Sequence, residues 1–155
     1  MAGYQFFDFL VIGDIRTEFI VDLANRSRSD ILGGSALYAA GGLRCWSERI
    51  AVFGHSSRIH QAEIAKIEHR YGIDFSGVKF NDQTPDDRCF LGYITPQELF
   101  LENPVAFYAS RGLAFPRGLI SYDINKIPQP ISRGSNFLPE DFSSKTLEAG
   151  SCLIC

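Results

Sequence analysis

The chain has 155 residues, enough for one α/β domain with a substantial core. Hydrophobic residues make up 45% and charged residues 21%, with 14 Gly and 7 Pro, the balance of a globular protein. The net charge of −3 and the lack of a basic stripe argue against nucleic acid and anionic membrane surfaces as partners.

No run approaches the roughly 20 apolar residues of a membrane span. The Met1–Leu10 stretch has no basic start and carries Asp8, so it does not read as a signal peptide. The expectation is a cytoplasmic protein. Cys45, Cys89, Cys152 and Cys155 are scattered, as reduced thiols in a core would be.

In chain order, 6–15 is almost continuously apolar around Asp8 and predicts a strand buried on both faces. Alternation predicts a strand over 17–23, with Phe19, Val21 and Leu23 on one side and Glu18, Ile20 and Asp22 on the other. A polar loop over 24–30 precedes a short strand at 31–32. Gly33-Gly34-Ser35 then opens a helix reaching about Trp46, with Ser35 as its cap. Gly41-Gly42 within that helix implies a close-packed neighbour or a break, and close packing is the preferred reading.

A buried strand follows over 49–54, and a helix over 59–71 ends at Gly72. His60 and His69 are placed on its solvated face. Strands are predicted at 78–80 and 88–95, joined by the turn-rich 81–87. A stretch over 96–103, irregular or one helical turn, leads to a strand at 105–109. The Pro/Gly/Ser-rich 111–142, with Pro128-Gln129-Pro130, lacks periodicity. A last strand opens at 151–155. The alternation of strands and helices indicates an α/β sheet, and the half-polar strands a second small sheet.

The glycine turn is the first candidate site. Paired glycines admit close approach of a ligand, and helix-start N–H groups favour one rich in oxygen acceptors. Arg16 and Glu18 are placed to reach the same ligand from their strand, the alternative being solvated ends. Gly13-Asp14-Ile15-Arg16-Thr17-Glu18 lacks the later glycines of a dinucleotide fingerprint, and no phosphate-binding P-loop occurs. Gly54-His55-Ser56-Ser57-Arg58 mimics a hydrolase elbow, but Arg58 replaces the closing glycine. In Cys152-Leu153-Ile154-Cys155 the thiols fall on opposite faces of a strand, and no second pair completes a zinc site. No metal site is assigned.

Four motifs in order resemble the N-terminal half of the ribokinase-like (PfkB) carbohydrate kinases. They are Val11-Ile12-Gly13-Asp14-Ile15 with its polar exit Arg16-Thr17-Glu18; Gly33-Gly34-Ser35-Ala36-Leu37-Tyr38-Ala39-Ala40; Tyr71-Gly72-Ile73-Asp74-Phe75-Ser76-Gly77-Val78; and Pro85-Asp86-Asp87-Arg88-Cys89-Phe90-Leu91-Gly92-Tyr93. The likeness spans the chain to about Ala109. It implies a layered α/β sheet with helices on both faces and a small β flap (17–23, 31–32, 88–95, 105–109), incomplete at the C-terminus. The whole of 1–155 is then one N-terminal half-domain.

The resemblance further implies transfer of the ATP γ-phosphoryl group to a hydroxyl of a sugar or nucleoside. ATP and Mg²⁺ belong to the complete enzyme and are not expected on this chain alone. The family's base and anion hole lie in a Gly-Ala-Gly-Asp motif that this sequence does not contain. The catalytic set is therefore empty, and only substrate contacts carry over: Arg16, Glu18, Gly33, Gly34 and Tyr38. Glu18 stands for the family's sugar-binding Asp. Tyr38 replaces the Asn of ribokinases, which argues against ribose. Arg16 adds a charge that would favour an anionic or unusual substrate. Phe53-Gly54-His55-Ser56-Ser57 replaces a common Gly-x-Asp loop. The alternative reading is an inactive sugar-binding or oligomerisation module from a truncated gene, and a homodimer through the flap stays open.

Overall fold

A computed structural model describes residues 7–81, 87–123 and 149–155. The chain divides into two units, one holding Met1–Ile15, Gly33–Thr84 and Gln129–Cys155, the other Arg16–Leu32 and Pro85–Pro128.

The first unit is built on a four-stranded sheet, β5-β4-β1-β8. Its strands are β1 (Phe9–Ile12), β4 (Ile50–Ser57), β5 (Asp74–Asn81) and β8 (Ser151–Ile154). All three pairings are parallel, with Phe9 opposite Ile50, Leu10 opposite Cys152 and Phe53 opposite Gly77. Parallel neighbours require crossover connections, and α2 (Gln61–Tyr71) supplies the one between β4 and β5. Helix α1 (Ser35–Leu43) packs on β1 and β4, and α2 packs on β5.

The central strands β1 and β4 are apolar on both faces over Phe9–Ile12 and Ile50–Phe53. Leu10, Ala51 and Phe53 cluster on one side with Phe7, Ile12 and Ala149. Val11 and Val52 alternate to the other side, where the Cβ a substitution would add at Gly13 meets Ala36 of α1. The fold is thus the mixed α/β arrangement of a parallel sheet and packed helices. Gly72, at φ 66°, ends α2 in the left-handed region and donates its N–H to the Glu68 carbonyl at 2.8 Å. Among the described residues no helix is long and apolar enough to cross a membrane.

The second unit carries the sheet β3-β2-β6-β7. Its strands are β2 (Arg16–Val21), β3 (Ser27–Gly33), β6 (Arg88–Thr95) and β7 (Glu98–Phe100). The turn from β2 to β3 is held by Asp22, whose Oδ1 accepts from the backbone N–H groups of Ala24 and Arg26. Strand β6 lies parallel to β2, with Phe19 opposite Phe90, and antiparallel to β7. Phe19, Val21, Phe90, Phe107, Tyr108 and Leu119 form a core, with Phe107 edge-on to Phe90 at 5.5 Å.

Several expectations are corrected. The predicted strand at 105–109 is helix α3 (Pro104–Ser110). Asn103 caps it by accepting from the Ala106 N–H at 3.0 Å, and Pro104 opens it. Pro104, Phe107 and Tyr108 are the buried set, an i, i+3, i+4 face rather than an alternating one. The strand placed at 31–32 begins at Ser27, because β3 is an edge strand and its polar first half is exposed to water. Strand β4 runs through Ser57 instead of stopping at Gly54, and the irregular 96–103 contains β7.

His60 is buried in a 3₁₀ turn ahead of α2, not solvated on the helix. The thiols do not form a core: Cys45, Cys152 and Cys155 are exposed, and only Cys89 is half-buried. Cys152 lies on β8, an edge strand, which accounts for its exposure. The turn residues 82–86, the region 124–148 and Phe6 lie outside the described residues.

Gly41 and Gly42 face open space, with nothing within 4 Å of an added Cβ, and α1 stops one residue later at Leu43. The break, not close packing, is the outcome. Gly41→Ala and Gly42→Ala should each stabilise the chain by about 0.5–1 kcal/mol, since alanine costs less backbone entropy there and meets no neighbour. Urea denaturation of both single variants checks this; a lower midpoint would show a packing role that the geometry lacks.

Candidate functional site

The glycine turn sits where β1 leaves its sheet. In open α/β sheets ligands gather at the carboxyl ends of the strands, and the turn lies at that end of β1. Gly34, the residue before α1, has φ 108° and ψ 159°. A side chain there would be strained, and an added Cβ would collide with the Asp14 carbonyl and lie 3.0 Å from Ile15 Cα. A Cβ on Gly13 would lie 2.8 Å from Ser35 Oγ. The exit of β1 and the start of α1 are therefore packed backbone to backbone.

Asp14 joins them. Its Oδ1 accepts from the Ser35 backbone N–H at 3.0 Å and also from the Ser35 hydroxyl, in a short contact. Its carbonyl accepts from the Ala36 N–H at 3.2 Å, and its own N–H donates to Ser35 Oγ at 3.3 Å. A helix start exposes N–H groups that need acceptors, and a carboxylate there also complements the helix dipole. Gly34 has no side chain to do this, and Ser35 is the first helical residue rather than the cap. The cap thus comes from the segment that follows β1. This corrects the expectation that Ser35 caps the helix and that its first N–H groups await a ligand: two of them are held by Asp14.

Sequence reading passed over Asp14 as part of the first strand. The residue lies 21 positions before Ser35, and no local spacing rule couples residues so far apart. Asp14 also acts on Cys155: burial first, then the Asp14 charge, pushes that thiol's pKa above its ordinary value.

Gly33, Gly34 and Tyr38 come together by local sequence. Tyr38 lies one turn into α1, donates its N–H to the Gly34 carbonyl at 3.2 Å, and is 57% exposed. Arg16 and Glu18 belong to the second unit, where they form a pair at the start of β2. Arg16 Nε lies 3.2 Å from Glu18 Oε1, with side-chain exposures of 23% and 0%. Glu18 is therefore a buried, paired carboxylate and not a solvated strand end.

The hydrolase-like segment loses its premise. An elbow needs a sharp turn between strand and helix. Ser56 instead lies within β4, opposite Phe80 of β5. Its Oγ is buried without a hydrogen-bond partner among the described residues. Among those residues no group of three or more His, Cys, Asp or Glu is placed to hold a metal ion.

Asp14→Ala should cost about 1–2 kcal/mol through the lost cap, and Asp14→Asn, which keeps an acceptor oxygen, less than half as much. Gly34→Ala should cost about 1–3 kcal/mol through its positive φ and the clash with Asp14. Denaturant midpoints of the three variants check the order; an Asp14→Ala protein as stable as wild type would remove Asp14 from the turn.

No family model and no curated protein matches the chain. Solved structures do. A PfkB protein from a Polaromonas species is 16% identical, with a TM-score of 0.48, over 88% of this chain and 40% of that one. Ribokinase from Cryptococcus neoformans, solved with ADP, is 13% identical, with a TM-score of 0.45, over 61% of this chain and 32% of that one. A Burkholderia thailandensis nucleoside kinase, solved with inosine, is 12% identical, with a TM-score of 0.46, over 60% and 34%. The chain thus spans between about a third and two fifths of the length of these three chains to which it is similar.

Proposed function

We propose that this chain is the substrate-binding part of a PfkB-type carbohydrate kinase, an enzyme that phosphorylates a hydroxyl of a sugar or nucleoside. One observation carries the reading. Strand β1 departs into the β2–β3 hairpin and returns through Gly33-Gly34 to a helix that Asp14 caps. That path carries the first two of the four PfkB-like motifs, in their order.

In this reading Glu18 accepts hydrogen bonds from substrate hydroxyls, which its ionised form does strongly. The backbone of Gly33 and Gly34 lies against the sugar because no Cβ intervenes. Tyr38 offers an aromatic face and a hydroxyl in place of an amide, and Arg16 sets the charge beside Glu18. The reaction would also need a base, donors for the phosphate charge and Mg²⁺. No residue of this chain is assigned to those tasks or to ATP, and the described residues offer no metal cluster. The reading includes a cytoplasmic location and a small-molecule partner, with pairing of two copies through the second sheet as a further expectation.

Two outcomes test it. Calorimetric titration of the chain with a panel of free sugars and nucleosides should find a binder, and Glu18→Ala should weaken it by about 1–3 kcal/mol, the cost of stranding hydrogen-bonding groups. A panel that yields no binder, or an unchanged dissociation constant, would end the proposal for Glu18. The purified chain alone should show no ATP-dependent phosphorylation of the bound compound; measurable turnover would place the catalytic groups within these 155 residues.

A further inference from the structure

The edges of the two sheets are not alike. Backbone N–H and C=O groups along an edge strand invite another strand, and charged side chains are a common guard against it. Among the four edge strands described, β3 carries Arg28 and Asp30, β7 carries Glu98, and β5 carries Asp74 and Lys79. Strand β8 carries no charge, and all four of its residues are exposed. Leu153 is 43% and Ile154 77% exposed, on opposite faces of the strand.

The ladder fixes which backbone groups look outward. The N–H groups of Ser151 and Cys155 donate to the Asp8 and Ile12 carbonyls at 3.0 and 2.8 Å. Strand alternation then turns Ser151, Leu153 and Cys155 toward β1, and Cys152 and Ile154 away from it. Two outward residues with one between them suit an antiparallel copy of the same strand. With a two-fold axis at Leu153, Cys152 of one copy faces Ile154 of the other, and each such pair exchanges two hydrogen bonds. Leu153 meets its own image at a closely spaced pair, apolar on apolar. No charge is brought against its own image, because β8 has none.

We infer that β8 is a self-association edge, through which a second copy of this chain pairs antiparallel, centred on Leu153, so that two four-stranded sheets become one continuous sheet. The inference is independent of the kinase reading, and its surface is not that of the second sheet. A four-residue pairing buries less than the roughly 1,200 Å² of a stable complex, so the dimer is weak and reversible. The two-fold closes the assembly at two copies.

Sedimentation velocity of the full chain under reducing conditions, from about 5 to 500 µM, should show monomer giving way to dimer and to nothing larger. Ile154→Lys puts a charge on the edge at a side chain already largely in water, and should weaken association at least about tenfold. Leu99→Lys, at a 42% exposed position of β7, should leave association within about twofold. The register has its own readout, in a chain carrying Cys45→Ser, Cys152→Ser and Cys155→Ser. There Leu153→Cys should give a disulfide-linked dimer under oxidised glutathione, since closely spaced pairs have Cα atoms about 4.5 Å apart, within bridging range. Ser151→Cys in the same background, too far from its own image, should not.

Circular dichroism establishes which variants fold; if Ile154→Lys does not, the two cysteine variants decide, and if those do not, Ile154→Lys decides. Monomer throughout the range overturns the inference, as do species larger than a dimer. So does a dimer that Ile154→Lys leaves intact, or cross-linking at 151 equal to that at 153. A dimer lost in Leu99→Lys and kept in Ile154→Lys would assign pairing to the second sheet instead. Each of these results leaves the kinase reading standing.

Discussion

The arrangement at the candidate edge depends on one carboxylate. Asp14 stands at the end of β1, yet its hydrogen bonds belong to the first turn of α1. Without it, the helix would begin at a glycine that can offer no side-chain acceptor. The turn at Gly34 would be left to hold an unfavourable φ with little to define it. With it, the exit of a central strand and the entry of a helix become one unit, although a whole hairpin is inserted between them in the chain. Burial of Val11 and Ala36 supplies the adhesive energy nearby, but adhesion is not directional. The directional bonds set which backbone atoms face outward.

The two units reach stability by different means. The first relies on layers: parallel strands with aliphatic residues on both faces and helices packed on them. The second relies on rings. Phe90 touches both Phe107 and Tyr108, Phe107 stacks on Phe100, and Tyr108 meets Phe115 edge-on. Aromatic side chains bury more area per residue than aliphatic ones do.

Much of this was legible in the amino-acid order, for reasons that can be named. β1 declared itself because a strand buried on both faces cannot afford polar residues. Gly72 declared the end of α2 because a left-handed cap tolerates little else. The glycine turn and the resemblance it belongs to were readable because both are local. What escaped was either non-local or ambiguous in period. Val105 to Ala109 contains too few residues to separate a period of two from one of 3.6, and Asn103-Pro104 is the better signal. The polar half of β3 looked like a loop because an edge strand with wet side chains has a loop's composition. Asp14 and Glu18 were visible as residues, but their partnerships were not. The burial of Glu18 comes from the folded chain, and alternation alone had left it half-solvated.

The pairing of β8 with β1 has a consequence for how the molecule is made. Leu10 aligns with Cys152, so the strand synthesised first among those described has one neighbour that emerges last. Local elements such as the β2–β3 hairpin and α2 can close within microseconds of appearing, but a contact of such sequence separation waits for the intervening chain and for its loop entropy to be overcome. On the ribosome β1 therefore keeps one flank unpaired until residues 151–154 have emerged. The four-stranded sheet is completed from its centre outward, with its apolar edge the feature most in need of protection along the way.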